Sequence, residues 1–525
     1  MTARAAGADA AGGEAGRGAS AGGGAATSGA GTSGAGGPKP HAEARAPRGL
    51  RAFFEPRSVA VVGASRDPAK VGHAVLANLL YGSRADAPSR LRGFPGTIIP
   101  VNSKAGEVLG VPAARFVESI KEPVDLAVFA IPAEQVPSAL DAAGRRGLQA
   151  AIVLAAGTAE RGDAGRRLEA QLRSVARNTQ TRVIGPNCTG LFTRLEPPRL
   201  LNASFFGDAP PEGPVALIAQ SGAIAQALVA SAEDYALGLR QVVTLGEKVD
   251  VQDDELLRHL VKDPLTRVIG LHIESLEEPR SFHAAAQIVS AQKPLVVLHG
   301  GRTASGMRAA RGHEGLFGVR DASLESALSQ AGIHLVDTLG EFLPALHALS
   351  TQPPARGRRV AILTNGGGTA VLAADAVARA GLDVVPFRQR TVEALRALFS
   401  HARGSRNPVD LRGDARPERI EAALDVVAAA PEVDAILLVL AVQATTDPWE
   451  LAERLGPWAR RCDKPLLAAS LGFAHERLLA RDGIPEFHLP EHAAMGLKAL
   501  VARGAFERRS RRLRRPPAPE ESAAW

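Results

Sequence analysis

The alternation of short, uninterrupted apolar runs with longer amphipathic stretches is the feature that most constrains the fold of this chain. Runs that are apolar on both faces are typical of parallel strands covered by helices on both sides. The stretches between them, such as Ala133–Arg146 and Asp163–Ala176, have helical spacing. The pattern predicts an α/β fold on a parallel sheet, with first strands at Val59–Gly63, Thr97–Val101, Leu126–Ile131, Ala151–Ala155 and Arg182–Ile184.

The same pattern restarts twice, each time after a proline-rich stretch, at 210–214 and at 353–357. Both stretches have the composition of linkers. We therefore predict three consecutive α/β domains of Rossmann or flavodoxin-like type, over residues 51–205, 213–350 and 357–503. The strands expected in the second and third domains are Val215–Ala219, Gln241–Leu245, Val268–Ile273, Pro294–Leu298, Ile333–Val336, Val360–Leu363, Val384–Pro386, Ala435–Leu440 and Leu466–Ser470.

The two ends of the chain differ in composition from its body. Residues 1–50 form an Ala/Gly-rich tail, with 13 glycines among the first 37 residues, which predicts disorder. A transit peptide is the alternative interpretation, although arginine is sparse there and acids are present. Residues 504–525 form an Arg-rich tail, and residues 503–515 hold seven arginines against one glutamate.

The formal net charge of +7 is concentrated in that C-terminal arm, so the body is nearly neutral and we expect no nucleic-acid partner. Binding of DNA through the arm alone remains the alternative. Two cysteines, Cys188 and Cys462, argue against a disulfide scaffold and a thiolate metal site, and we expect no metal. No apolar run approaches the roughly 20 residues of a membrane helix, which indicates a cytoplasmic protein without a membrane partner.

Each predicted domain opens with a buried strand, a turn of small residues and a helix. The turns are Gly63-Ala64-Ser65, Ser221-Gly222-Ala223 and Asn365-Gly366-Gly367-Gly368. Such turns place backbone N–H groups and a helix N-terminus at the carboxyl edge of the sheet, where anions and nucleotides bind. The alternative is that small residues simply allow the helix to pack closely on the strand.

The first turn is not a dinucleotide fingerprint, because Ser65 stands where G-x-G-x-x-G requires its second glycine. A nicotinamide cofactor is therefore disfavoured, and another phosphate-bearing ligand fits better. The alternative interpretation of Lys104 is that it is a solvated surface lysine and does not contact the ligand. The candidate contacts at these strand ends are Gly63, Ala64, Ser65, Arg66, Lys70, Gly72, Lys104, Ile131 and Pro132.

Several ordered motifs over residues 53–503 resemble one family, the NDP-forming acyl-CoA synthetases. These are the ADP-forming acetate–CoA ligases, related to succinyl-CoA synthetase. The run FEPRSVAVVGAS at 54–65 is similar to the opening of the family's CoA-binding domain. The later matching motifs are IGPNCTGL at 184–191, QSGA at 220–223, LGEKVDV at 245–251 and NPVDL at 407–411.

The resemblance implies a catalytic pair. His313, in the glycine-flanked run Arg311–Leu316, falls where the family carries its phosphorylated histidine. Glu274, after the strand Val268–Ile273, falls where the family's glutamate holds that imidazole. From the residues alone, a surface histidine and an ordinary helix-start acid remain the alternatives. The turn Ser221-Gly222-Ala223 would cradle the phosphoryl group; Asn187 joins the predicted coenzyme A contacts and, with Ser221, the phosphoryl-binding candidates.

The resemblance also implies a function and a partner. We expect an acid–thiol ligase that reversibly converts acyl-CoA, ADP and phosphate into a small carboxylic acid, coenzyme A and ATP. A separate ATP-grasp β subunit would hold ADP or ATP and Mg²⁺, in a hetero-oligomer. Departures from the family pattern occur at Glu314, His299 and Glu247. A non-catalytic regulatory protein that binds coenzyme A or acyl-CoA is the alternative.

Overall fold

A computed structural model describes residues 49–82, 93–157, 162–301, 303–312, 322–399, 402–441, 447–472 and 477–514. Within them the chain is α/β throughout and forms three large, mainly parallel sheets, which confirms the predicted fold class. Among the described helices, none has both the length and the apolar composition needed to cross a bilayer.

The first sheet has the order β2-β1-β5-β6-β7 and is entirely parallel. Every residue of the internal strand Ser58–Val62 is buried, as expected for a strand with helices on both faces. A short antiparallel hairpin, β3-β4, lies outside this sheet. The strands are β1 Ser58–Val62, β2 Thr97–Val101, β3 Glu107–Val108, β4 Val111–Pro112, β5 Leu126–Phe129, β6 Ala150–Val153 and β7 Arg182–Ile184; the helices are α1 Arg51–Phe54, α2 Val71–Tyr81, α3 Val136–Arg145 and α4 Asp163–Thr179.

The second sheet has the order β14-β13-β12-β10-β11-β8-β9. All of its strands run in one direction except β8, which is antiparallel to both of its neighbours, β11 and β9. The predicted boundary at residue 205 assigns these two strands to the first domain, whereas they complete the second sheet. The strands are β8 Gly190–Arg194, β9 Leu200–Ser204, β10 Glu212–Ala219, β11 Leu239–Thr244, β12 Val268–Ile273, β13 Leu295–His299 and β14 Ile333–Val336; the helices are α5 Gly222–Ser231, α6 Asp253–Leu260, α7 Pro279–Ser290, α8 Ala304–Gly312, α9 Ala322–Gln330 and α10 Leu339–Thr351.

The third sheet has the order β16-β15-β18-β19-β20, with the short strand β17 paired to β15, and all its pairs are parallel. The strands are β15 Arg359–Thr364, β16 Asp383–Val384, β17 Val409–Asp410, β18 Ala435–Ala441, β19 Leu466–Leu471 and β20 Glu486–Phe487; the helices are α11 Gly367–Arg379, α12 Gln389–Leu398, α13 Pro417–Ala429, α14 Pro448–Arg461, α15 Leu478–Arg481 and α16 Pro490–Arg514.

Neighbouring sheets share hydrophobic cores. One buried cluster joins strands of the first sheet to strands and helices of the second. Another joins the second sheet to the third through α10 and α16. These two helices pack side by side and parallel, because a Cβ on Gly340 would touch His492 and one on Gly496 would touch Ala348.

The Arg-rich tail predicted over residues 504–525 is helical as far as Arg514. Phe506 lies between the guanidinium groups of Arg503 and Arg509, each 5.6 Å from its ring centroid. Arg503 donates to the Ser290 carbonyl at 2.5 Å, and Arg508 donates to the Ala355 carbonyl at 3.2 Å. The basic residues nearest the body are therefore anchored on α7 and on the segment between α10 and β15.

The buried imidazole of His347 should make the stability of the folded protein depend on pH. It is 2% exposed on α10, and burial lowers its pKa to about 4. In the unfolded chain this imidazole is protonated below about pH 6.5. The stability that the neutral, buried imidazole contributes is therefore present above that pH and is lost as the pH falls towards 4. Between pH 7 and pH 5 we expect the wild type to lose about 2 kcal/mol more stability than the variant His347→Met loses. Urea unfolding at both pH values measures this difference; equal losses in both proteins would contradict the assignment.

Candidate functional site

Two groups of predicted site residues lie at the carboxyl edges of two sheets. The first is centred on the turn after β1. Gly63 has φ +93°, and a Cβ there would collide with the Ala130 carbonyl and lie 2.8 Å from the Ile131 side chain. A Cβ on Gly72 would overlap the Gly63 carbonyl oxygen. The two glycines thus bring the start of α2 against the end of β1, as the close-packing alternative requires.

The turn after β2 is joined to this first group. Asn102 donates from Nδ2 to the Ala64 carbonyl at 2.7 Å. Its Oδ1 accepts from the backbone N–H of Lys104 at 2.8 Å and of Ala105 at 2.9 Å. The ends of three adjacent strands, β1, β2 and β5, are therefore held together, as expected for a ligand site in a doubly wound sheet.

Positive side chains line the rim of this first group. Arg66, Lys70 and Lys104 are all exposed, and Arg66 donates to the Glu107 carbonyl at 2.8 Å. Ser65 accepts from the Asp67 N–H at 3.0 Å and stabilises the turn, and Pro132 is exposed beside Ile131. Exposed cations around backbone amides suit a phosphate-bearing ligand.

Gly72→Ala should be destabilising because the added methyl group meets backbone rather than a movable side chain. We expect a loss of about 1–3 kcal/mol in the free energy of unfolding, since either α2 or the Gly63 turn must shift. Gly207→Ala is the matched control, because a Cβ there meets nothing within 4 Å. Urea denaturation of both variants checks this, and equal midpoints would contradict the close approach.

Asn187 does not lie with the first group. It follows β7, the edge strand three positions away from β1 in the first sheet. Its Nδ2 donates to Glu247 Oε1 at 3.1 Å, and the Glu247 N–H donates to the Pro186 carbonyl at 3.0 Å. The loop that contains Asn187 thus contacts the carboxyl edge of the second sheet.

The second group is centred on the turn between β10 and α5. Ser221 is the N-cap of α5, and its hydroxyl accepts from the Ile224 N–H at 3.3 Å. Helix geometry leaves the N–H groups of Gly222 and Ala223 without intrahelical acceptors, and Ala223 is exposed. A Cβ on Gly222 would collide with Thr189 Oγ1, so this glycine allows the Asn187 loop to approach.

Gln220 connects this helix start to Glu274. Its Oε1 accepts from the backbone N–H groups of Glu274 and Ser275, both at 2.9 Å. Its Nε2 donates to Ser275 Oγ at 2.9 Å. The half-buried Glu274 is therefore fixed at the backbone next to the turn Ser221–Ala223, which brings together two of the predicted catalytic and phosphate-binding elements.

A buried ion pair lies under the same turn. Lys248 is 1% exposed, and its Nζ donates to Asp253 Oδ2 at 2.9 Å and to the Ser275 carbonyl at 2.6 Å. Burial raises the pKa of Asp253, and the neighbouring Lys248 charge opposes that rise. The ammonium group thus holds both a carboxylate and the backbone that follows Glu274.

Two histidines lie on the strands beside this group. Burial and the nearby His299 lower the pKa of His272 to about 4, so its imidazole is neutral near pH 7. His299 is half-buried at the end of β13, paired in register with Ile273. His313 and Glu314 lie outside the described residues. Among the described residues, no group of three or more His, Cys, Asp or Glu side chains could hold a metal ion.

The third turn, Asn365–Gly368, lies at the carboxyl edge of the third sheet. The Asn365 side chain is buried and bonds both backbone groups of Ala441, at 2.7 and 2.8 Å. Gly367 and Gly368 are exposed at the start of α11, where a Cβ would meet nothing within 4 Å. Close packing does not explain these two glycines, in contrast to Gly72.

Gln220, Lys248 and Thr189 are the residues at this edge to which sequence reasoning gave no role. A signal existed for Gln220, which ends an apolar run, but not for Lys248, which stands among the charged residues Glu247 and Asp250. A polar side chain in a buried context needs partners, and those partners proved to be the residues around Glu274.

Three family models match consecutive parts of the chain. They are a CoA binding domain over residues 57–194, a succinyl-CoA ligase like flavodoxin domain over residues 212–349, and a ligase-CoA domain over residues 360–495. Together they overlap every strand of the three sheets except β9.

Curated relatives align over most of their own length. The chain is 36% identical to the acetate–CoA ligase [ADP-forming] I subunit alpha of Pyrococcus furiosus, over 86% of this chain and 97% of that one. It is 33% identical to the acetate–CoA ligase [ADP-forming] I of Archaeoglobus fulgidus, over 86% of this chain but 63% of that longer one.

A solved structure has the same architecture. The dinucleotide-forming acetyl-coenzyme A synthetase 1 of Ca. Korarchaeum cryptofilum, in complex with phosphate and ADP, superposes with a TM-score of 0.77. The two chains are 31% identical, and the match covers 88% of this chain and 98% of that one.

Proposed function

Because the chain belongs to the NDP-forming acyl-CoA synthetases, the family of the ADP-forming acetate–CoA ligases, we propose that it is their coenzyme A-binding, phosphohistidine-bearing α-type subunit. The observation that carries the proposal is Glu274, held by Gln220 beside the free N–H groups of α5. A carboxylate and a helix N-terminus at one sheet edge are the two groups that a phosphorylated imidazole requires.

The first sheet would bind coenzyme A. Its rim residues Arg66, Lys70 and Lys104 would face the phosphates, and the backbone around Gly63 and Ala64 would lie close to the ligand. Asn187 lies with the second group, so we assign it to the junction between the two sites. In that position it would contact the reacting end of the thioester rather than the nucleotide.

The reaction would proceed in three reversible steps. Phosphate attacks the thioester carbonyl, the C–S bond breaks, and acyl phosphate and coenzyme A form. A ring nitrogen of His313 then attacks phosphorus, and the carboxylic acid leaves with the bridging oxygen. Glu274 would accept the N–H of the other ring nitrogen and stabilise the charged intermediate. Finally the phosphoryl group passes to ADP.

A separate ATP-grasp β subunit would supply the nucleotide site and Mg²⁺. Two facts support a partner of this kind. The chain corresponds to nearly all of a relative that is called a subunit alpha, and to 63% of a longer ligase chain. The third sheet's turn at Asn365–Gly368 would face this partner or the phosphoryl group.

The test is phosphorylation of the protein itself. The chain is incubated with an ATP-grasp β subunit, γ-labelled ATP and Mg²⁺, and acid-labile, base-stable phosphate is measured. We expect stoichiometric labelling of the chain. Labelled acyl phosphate should give the same labelling, and addition of coenzyme A together with the carboxylic acid should remove it. In parallel, equilibrium dialysis measures coenzyme A binding. Binding without any labelling would overturn the ligase and favour a regulatory protein that binds coenzyme A.

A further inference from the structure

We infer that Gln220 and Lys248 are positioning residues that fix Glu274 by clamping the backbone turn Glu274–Ser275. The inference rests on the proposed role of Glu274 and adds two residues to the machinery. Neither side chain needs to touch a substrate. Each acts through the turn, Gln220 from the segment after β10 and Lys248 from the loop after β11.

Gln220 provides the first half of the clamp. One carboxamide oxygen accepts two consecutive backbone N–H groups, Glu274 and Ser275, while the amide nitrogen donates to the Ser275 hydroxyl. A single planar group that makes three bonds to two adjacent residues defines both the position and the orientation of the turn. The Gln220 N–H also donates to the His272 carbonyl, which ties the start of the turn to β10.

Lys248 provides the second half. Its Nζ donates to the Ser275 carbonyl at 2.6 Å, opposite the amides that Gln220 binds. A lysine that is 1% exposed is unfavourable unless its charge is paired, and Asp253 supplies that charge. Because both ends of Ser275 are held, the turn cannot rotate without breaking bonds on two sides.

This geometry matters for transfer to an imidazole because reaction depends steeply on alignment. A displacement of about 1 Å in a catalytic group can lower a rate by about a hundredfold. The clamp fixes the backbone from which the half-buried Glu274 side chain extends, and so sets the region that its carboxylate can reach. Loss of the clamp should slow phosphoryl transfer and leave coenzyme A affinity unchanged.

The experiment compares three glutamine variants with the wild type. Gln220→Met removes the clamp, Gln220→Glu keeps the oxygen acceptors, and Gln241→Met is a matched control on another strand of the same sheet. Gln241 is also buried, but it bonds Asp263 at 3.2 Å, remote from the turn. The readouts are phosphorylation by labelled acetyl phosphate, coenzyme A affinity and amide hydrogen exchange across residues 272–278.

We expect Gln220→Met to lower the phosphorylation rate about a hundredfold, with partial rescue in Gln220→Glu and no effect in Gln241→Met. Coenzyme A affinity should change less than about twofold in all three, since the first sheet is intact. Exchange of the Glu274 and Ser275 amides should be faster in Gln220→Met than in the wild type, and unchanged in Gln241→Met. Unchanged exchange at these amides would overturn the clamp.

Failure of the inference and failure of the proposed function are distinguishable. If the wild type acquires no label, the phosphohistidine proposal fails, and the exchange experiment still decides whether Gln220 holds the turn. If Gln220→Met does not fold, the double variant Lys248→Met/Asp253→Asn releases the Ser275 carbonyl without leaving a buried charge. That variant should show the same faster exchange and slower labelling; a wild-type labelling rate in it would refute the role of Lys248.

Discussion

His313→Asn is expected to abolish acid-labile phosphorylation and to lower the rate of ATP formation from acyl-CoA by about 10⁴-fold or more. The physical reason is that the amide of asparagine has no nucleophilic nitrogen comparable to the imidazole lone pair, so no covalent phosphoryl carrier can form. Losing a nucleophile normally removes nearly all of the rate enhancement that depends on it. The measurements are label incorporation and steady-state turnover with the β subunit present.

The control for this prediction is His488→Asn, which changes an exposed histidine after β20. It should label and turn over like the wild type. Coenzyme A affinity should be the same in both variants, because neither residue is among the predicted coenzyme A contacts. Labelling of His313→Asn at the wild-type level would mean that another residue carries the phosphoryl group, even if the ligase activity stands.

Lys248→Met is expected to lower the free energy of unfolding by about 3–5 kcal/mol. The side chains of Lys248 and Asp253 are only 1% and 4% exposed, so removing the ammonium leaves a carboxylate in a low-dielectric site. The double variant Lys248→Met/Asp253→Asn should recover most of this loss, since no unpaired charge remains. Urea denaturation of the two variants and the wild type measures the difference.

Arg356→Met is the matched comparison, because the Arg356–Asp463 pair has a similar length of 2.7 Å but side chains 73% and 64% exposed. Solvent screens that pair, so the loss should stay below about 1 kcal/mol. Equal losses for Lys248→Met and Arg356→Met would show that burial does not control the strength of these ion pairs in this protein.

The strands of the three sheets could be predicted because most are continuous apolar runs. Val268–Ile273 and Ile333–Val336 were predicted to the residue. The missed strands lack that pattern. β8 and β9 contain buried Thr193, Arg194 and Asn202, and the last two donate to the distant Leu239 and Gly82 carbonyls. Two-residue strands such as Val409–Asp410 are too short to show any periodicity.

The candidate site could be predicted in its parts but not in its grouping. The residue types and turns indicate strand ends, and the structure places Ser221 and Glu274 together at one edge. Asn187 lies with them rather than with Gly63 because β7 is an edge strand, and strand order cannot be read from one sequence. The contacts of Gln220 depend on β10 and β12 being neighbours, which is likewise a property of the folded sheet.

The parallel pair α10 and α16 restricts how a phosphoryl group can travel. The second and third sheets share one continuous core around these helices. The two sheets therefore cannot move apart without exposing apolar side chains such as Phe342 and Leu497 to water. Further along α16, Arg503 and Arg509 stack on Phe506, and Arg503 donates to the Ser290 carbonyl of α7. Relay of the group to a nucleotide on another subunit would therefore have to take place while these two sheets keep one fixed relative position.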